Sequence, residues 1–251
     1  MNSESTTIFD SMIAVLKKWR KLILMFTIVC TAVAAVVSFF ILPKQYYAGT
    51  TLLPVNGMVA DKGRIFNNNI QELYSVYGNS DDLDRIYSIA KAGIVFGFVV
   101  DSLRLVEHYS IDDKTDKGRA KAIKRLKKNT DVLKTENGAL QIDVWDKDAN
   151  AAAVIANCMT YKINLLGNEM LQQVNNRIIE KLQTDSAADK NILYQFKLAA
   201  SVEQPSVVVL EKAYPSLKPD KPKHLIIITS AFLLSLFFSL LAAIIIDRLK
   251  K

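Results

Sequence analysis

The apolar residues of this chain gather into two long blocks, one near each end, with a mixed pattern between them. No charged residue interrupts Leu22–Leu42, and none interrupts Leu225–Ile246. Each block is about 21 residues, which at about 1.5 Å per helical residue matches a hydrocarbon core of about 30 Å. A helix satisfies its own backbone hydrogen bonds, as lipid requires, so both blocks are expected to be transmembrane helices. Small residues recur every fourth position: Thr27, Thr31 and Ala35 in the first, Ala231, Ser235, Ser239 and Ala243 in the second. Such faces let helix backbones approach closely in lipid.

Between the blocks the periodicity changes several times. Tyr46–Val55 reads as a strand ended by Pro54 and Gly57. Asn67–Tyr77 has a short helical pattern. Ser80, followed by Asp81, Asp82 and Asp84, reads as an N-cap with an acidic first turn, opening a helix that runs to about Val106. Thr115–Asn129 is a basic helix with Lys117, Lys121, Lys124 and Lys128 on one face. The segments 131–135 and 140–145 flank Asn137-Gly138, a strong hairpin signal. There Leu140, Ile142 and Val144 alternate with Gln141 and Asp143, so one sheet face is buried. Asp148 caps a long helix, Ala149–Leu182, of about 50 Å. Its apolar residues include Val154, Ile155, Cys158, Tyr161, Leu165, Met170 and Val174, and its polar face carries Asn157, Asn164 and Asn168. A further helix is expected over Ala187–Ala200. A last strand, Ser206–Leu210, is expected to join the first. The fold class is α+β, a small mixed sheet plus a long helix, held between two transmembrane helices.

Charge sets the orientation. Lys17, Lys18, Arg20 and Lys21 precede the first span, and Arg248, Lys250 and Lys251 follow the second. The positive-inside rule puts both termini in the cytoplasm, although Lys44, Lys218, Lys221 and Lys223 lie near the spans on the other side. The expected organisation is a cytoplasmic tail 1–21, spans 22–42 and 225–246, a periplasmic domain 43–224, and a cytoplasmic tail 247–251. The net charge of +7 does not point to nucleic acid. Residues 43–224 hold 25 Lys and Arg against 22 Asp and Glu, leaving +3, and the rest flanks the spans, where anionic lipid accounts for it. The basic helix lacks the interleaved aromatics of a nucleic-acid surface and reads as a solvated face.

Catalytic chemistry finds no foothold. There is no phosphate-binding GxxxxGK[ST], no HExxH and no CxxC. The two histidines are His108, at a helix end, and His224, at a membrane boundary. Cys30 lies within a span and Cys158 in a helical pattern, so no disulfide framework exists. No metal or cofactor is expected, and the reading is non-enzymatic.

The positive signal precedes the second span. Ala213-Tyr214-Pro215-Ser216-Leu217-Lys218-Pro219-Asp220-Lys221-Pro222 places three prolines in eight residues, which excludes helix and favours a stiff, extended strut. A strand, this proline segment and a last span, in that order, resemble the polysaccharide co-polymerases, the Wzz chain length determinants. Pro43 to Tyr47 after the first span, the helix bearing Ser88, and Asp148, Ala152, Ile155, Ala156 and Asn157 at the start of the long helix add to the likeness. Two features depart from it. Serine and alanine stand in the second span where the family tends to have glycine, and the long helix is short for the family. The resemblance implies an inner-membrane homo-oligomer projecting into the periplasm. It would set how many repeat units a polymerase adds to a lipid-linked glycan, such as the O-antigen of lipopolysaccharide, without catalysing bond formation. The alternative is an adaptor that activates a separate cytoplasmic tyrosine kinase or assists polysaccharide export. The short tail 247–251 is expected to leave little for a kinase to engage.

Overall fold

The computed structural model describes residues 3–55, 78–113, 115–184, 190–201 and 205–249. It divides into two compact units, 1–45 with 219–251, and 46–218. The helix expected over Asn67–Tyr77 lies outside the described residues.

The first unit pairs two helices, each long and apolar enough to cross a membrane. Helix α1 (Ser3–Val36) widens into a π-helical turn, Val37–Ile41. Leu42 is extended (φ −74°, ψ 126°), as a residue preceding proline must be. The last helix, α8 (His224–Leu249), packs along α1. Most large apolar side chains of the pair face outward, Phe26, Phe40, Leu233 and Phe238 among them. Ile23, Thr27, Ser38, Ser235, Ser239, Ala243 and Asp247 are buried. The inverted pattern, apolar outside and small or polar inside, suits a helix pair whose surroundings are lipid.

The second unit has a four-stranded sheet in the order β2-β3-β1-β4. The strands are β1 (Tyr46–Pro54), β2 (Thr130–Lys134), β3 (Leu140–Asp146) and β4 (Val207–Glu211). Every pairing is antiparallel, where a mixed sheet was expected. The α+β class itself stands, and the last strand pairs with the first. The helices are α2 (Ser80–Lys91), α3 (Gly93–Ser102), α4 (Leu105–His108), α5 (Asp116–Lys128), α6 (Ala149–Thr184) and α7 (Lys190–Ser201). Strand β1 turns Ala48, Thr50, Leu52 and Pro54 into the core, and β3 turns Leu140, Ile142 and Val144 the same way. Ile86, Val95, Val99, Leu126, Ile155, Met159 and Ile163 meet them from the helices. Full burial of each such aliphatic side chain contributes about 1.5–3 kcal/mol.

The single helix expected from Ser80 to Val106 is three. Its cap is Asn79, one residue earlier than expected; its side chain accepts from the Asp81 and Asp82 amides, while Asp82 accepts from the Asn79 amide. The first break falls at Ala92, which is extended (φ −66°, ψ 140°). The reason is rotational. Val95 and Val99 lie nine and thirteen residues beyond Ile86, about 180° and 220° round a straight helix. Only a break lets all three enter one core. The second break, at Arg104, uses a left-handed residue (φ 50°).

Helix α6 is rotated from the sequence reading. Val154, Tyr161, Met170 and Val174, expected in the apolar face, are 51%, 61%, 51% and 44% exposed. Ile155 is buried as expected, but Ala152, Ala156, Met159 and Ile163 complete the buried stripe with it. Short alanines, Ala152 and Ala156, alternate in this stripe with Ile155, Met159 and Ile163 and let the helix backbone lie close to the sheet.

Candidate functional site

Because α6 lies close, its asparagines reach β4. The Asn164 Oδ1 accepts from the backbone N–H of Ser206 at 2.8 Å and of Val207 at 3.3 Å. Seven residues earlier on the helix, Asn157 donates from Nδ2 to the Ala213 carbonyl at 3.0 Å and accepts from the Ala213 N–H at 3.2 Å. One amide thus holds each end of β4. Gly167 completes the seat: a Cβ there would lie 2.3 Å from the Ser206 hydroxyl oxygen, which itself donates to the Asn164 carbonyl. Only glycine permits so close an approach.

The sheet face away from the core carries paired polar and aromatic residues. Register sets Tyr47 beside Trp145, Gly49 beside Asp143, and Thr51 between Gln141 on β3 and Glu211 on β4. The Tyr47 and Trp145 ring centroids are 5.7 Å apart. The Tyr47 hydroxyl donates to Asp143 Oδ1 at 2.8 Å, and Gln141 Nε2 donates to both oxygens of the same carboxylate, at 3.0 and 3.2 Å. Burial, with Asp143 accepting the phenolic proton, pushes Tyr47 up to about 12. Gly49 makes this possible, since a Cβ there would sit 2.1 Å from the Tyr47 hydroxyl. The face opens into a cleft of about 310 Å³ whose far side is formed by Glu211, Lys212, Tyr214 and Ser216.

A second polar contact escaped the sequence reading. His108 closes α4, and its Nε2 lies 2.8 Å from Asp146 Oδ1, at the end of β3. The neighbouring Tyr109 is buried, which, with Asp146 close by, raises its phenol well above the usual tyrosine range. Arg125 covers that ring at 4.7 Å. The acceptor lies 38 residues away on another element, so nothing local could announce the pair.

The prolines fall where the chain leaves the second unit. Residues 212–223 are neither helix nor strand apart from an isolated bridge at Lys221, and a bend at Leu217–Lys218 is braced by Ser216, which donates to the Lys218 carbonyl. Pro215 belongs to the second unit, Pro219 and Pro222 to the first. Within the first unit Gln45 donates to the Lys221 carbonyl at 3.0 Å, and its own carbonyl accepts from Asp220 and Lys221.

Of the small-residue faces, Thr27, Ser235, Ser239 and Ala243 are buried, while Thr31 and Ala35 are half-buried. The Thr27, Thr31, Ser235 and Ser239 hydroxyls donate to carbonyls of their own helix, so they act as small spacers rather than interhelical donors. Polar contacts close the pair at both ends. Lys18 Nζ and Trp19 Nε1 donate to Asp247 Oδ1 at 2.6 and 3.3 Å. His224 stacks on Phe39 and meets the Ser38 hydroxyl at 2.8 Å. Among the described residues no group of three or more His, Cys, Asp or Glu could hold a metal ion.

The family model for Wzz, the chain length determinant protein, matches residues 7–102, and the resemblance read from the sequence holds there. The matched stretch spans α1, β1, α2 and α3; the proline segment and the start of α6 lie beyond it. No curated protein matches the chain. A solved structure described as a full-length bacterial polysaccharide co-polymerase aligns with 11% identity and a TM-score of 0.44, covering 95% of this chain and 97% of that one.

Proposed function

We propose that this chain, similar to the Wzz chain length determinants over residues 7–102, regulates the length of a surface polysaccharide, O-antigen or a related glycan. The family match carries the reading. Two helices able to cross a membrane, one on each side of an α+β domain in sequence, support it. On this reading the spans are 22–42 and 225–246 in the inner membrane, the tails 1–21 and 247–251 are cytoplasmic, and 43–224 is periplasmic. The chain acts beside a glycan polymerase and a lipid-linked glycan as a non-catalytic scaffold.

Homo-oligomerisation belongs to the proposal. Val154 and Tyr161 are seven residues apart on α6 and exposed, the Phe98 ring lies 6.4 Å from Tyr161, and Ile94 is exposed on the adjacent α3. Such a row of apolar side chains in a folded domain favours contact with a second protein surface.

Deleting the gene tests the reading. The expected result is a shifted length distribution of lipopolysaccharide or capsule on a gel, with synthesis continuing and the parental ladder restored by the intact gene. Unchanged ladders for both glycans would refute it. A lost phosphotyrosine signal with an unchanged ladder would favour the adaptor.

A further inference from the structure

We infer that the cleft on the open sheet face is a saccharide-binding site that takes uncharged, hydroxyl-rich sugar residues; the inference rests on the proposed role in glycan length control. The cleft is lined by Tyr47, Gly49, Thr51, Gln141, Glu211 and Tyr214, with Lys212 and Ser216 at its edge. Its volume, about 310 Å³, falls at the lower end of small-molecule sites, about 300–1,000 Å³, and has room for roughly one or two sugar rings.

The floor is built in advance. Asp143 is 7% exposed, and its carboxylate is fixed by Tyr47 and Gln141. A glycine inside a strand weakens it, and in such a place it marks a close approach. At Gly49 that approach is the Tyr47 ring folded over the strand. The rim is also held in place. Tyr214 is 72% exposed, yet its neighbour Ala213 is 4% exposed and is bonded twice to Asn157. An exposed aromatic ring on a fixed backbone loses little freedom when a ligand covers it.

The lining selects the ligand. Vicinal sugar hydroxyls donate to a carboxylate such as Glu211 and accept from an amide such as Gln141 or from the Lys212 ammonium, while the C–H face of the ring rests on an aromatic. A phosphate or uronate would face the Glu211 carboxylate, with only Lys212 in the lining to offset it. An apolar ligand would strip water from these groups without replacing its hydrogen bonds.

The test uses the full-length chain in detergent micelles. With Trp19→Phe, Trp145, whose ring packs on Tyr47, is the sole tryptophan. The probe is short fragments of the host's own surface polysaccharide, released by mild acid. A saturable change in Trp145 emission is expected, weakened about tenfold or more by Tyr214→Ala and by Gln141→Ala, retained in Tyr214→Phe, and not competed by inorganic phosphate. Circular dichroism verifies that each variant is folded. No saturable change, or an affinity equal to the parent's in both alanine variants, overturns the site. If deletion shifts the ladder but the fragments do not bind, only the cleft falls; if the fragments bind and the ladder does not move, only length control falls.

Discussion

Replacing Asn164 by alanine should release the last strand without unfolding the domain. The Asn164 Oδ1 serves two backbone donors, Ser206 N–H at 2.8 Å and Val207 N–H at 3.3 Å. Ser206 is fully buried and Val207 is 4% exposed, so water cannot readily take over. A buried donor left without a partner costs about 1–3 kcal/mol, and the longer contact sits at the weak end of the range. The sum is about 2–4 kcal/mol. The Ser206 hydroxyl keeps its bond to the Asn164 backbone carbonyl, so it adds nothing. Strand β4 lies at the sheet edge and pairs only with β1, so the loss should appear as local opening. Hydrogen exchange of full-length protein in detergent reads this directly. Protection over 206–211 should fall about thirtyfold to several hundredfold, while α5 and β2 exchange as in the parent. Asn164→Asp keeps an acceptor oxygen in place and should restore most of the protection. Unchanged exchange in the alanine variant, or an aspartate variant as fast as alanine, would refute the reasoning.

Three further outcomes follow from contacts described above. Tyr47 holds its proton more tightly in the folded chain, to about 12 against 10.0, so its contribution is intact below pH 10 and fades as the pH climbs toward 12. A phenolate absorbance titration should therefore lose a late component near pH 12 in Tyr47→Phe, one that precedes the still later Tyr109, and an unchanged curve would contradict the Asp143 bond. In a Trp145→Phe background, Asp247→Ala should shift Trp19 emission, because the indole N–H loses that acceptor; a spectrum matching the parent would show that the contact does not form. Replacing Pro215, Pro219 and Pro222 together by alanine should broaden the glycan ladder more than it lowers the amount of membrane-inserted protein on an immunoblot. Loss of the protein itself would reduce the prolines to a folding role.

Much of the fold is written locally, and what is not has a common cause. The charge-free runs, the Asn137-Gly138 hairpin and the alternation of Leu140, Ile142 and Val144 each follow from one element's own chemistry. The rotation of α6 does not. That helix carries apolar residues on more than one side, and periodicity alone cannot choose between Val154 with Tyr161 and Ile155 with Met159. The small size of Ala152 and Ala156, which lets the sheet approach, decides it. The break at Ala92 is likewise imposed from outside, by Ile86 and Val95 having to enter one core. At the open sheet face, Gln141 and Asp143 read as ordinary outward positions. Their grouping with Tyr47 depends on register with β1 and on the missing Cβ of Gly49. The prolines are legible because their restriction lies in their own backbone; the asparagines that hold the adjoining strand look like any other residues of a polar helix face.

Those asparagines bear on how the chain's two ends are secured. In the second unit the first and last strands pair over only Thr51–Pro54, with a register shift between Thr51 and Leu52. In the first unit Gln45 is bonded to Asp220 and Lys221. Four irregular strand pairs are a weak hold for the segment leading into the prolines, and Asn164 and Asn157 supply the remainder from α6. If stiffness there matters for length control, it requires a fixed origin as well as prolines. Asn157→Ala frees both the N–H and the carbonyl of Ala213, two residues before Pro215. It should therefore broaden the glycan ladder in the same sense as the triple proline variant, with normal amounts of protein. A broadened ladder in the proline variant beside a parental one in Asn157→Ala would mean that the prolines work without an anchored origin, and the clasp would then be a matter of stability alone.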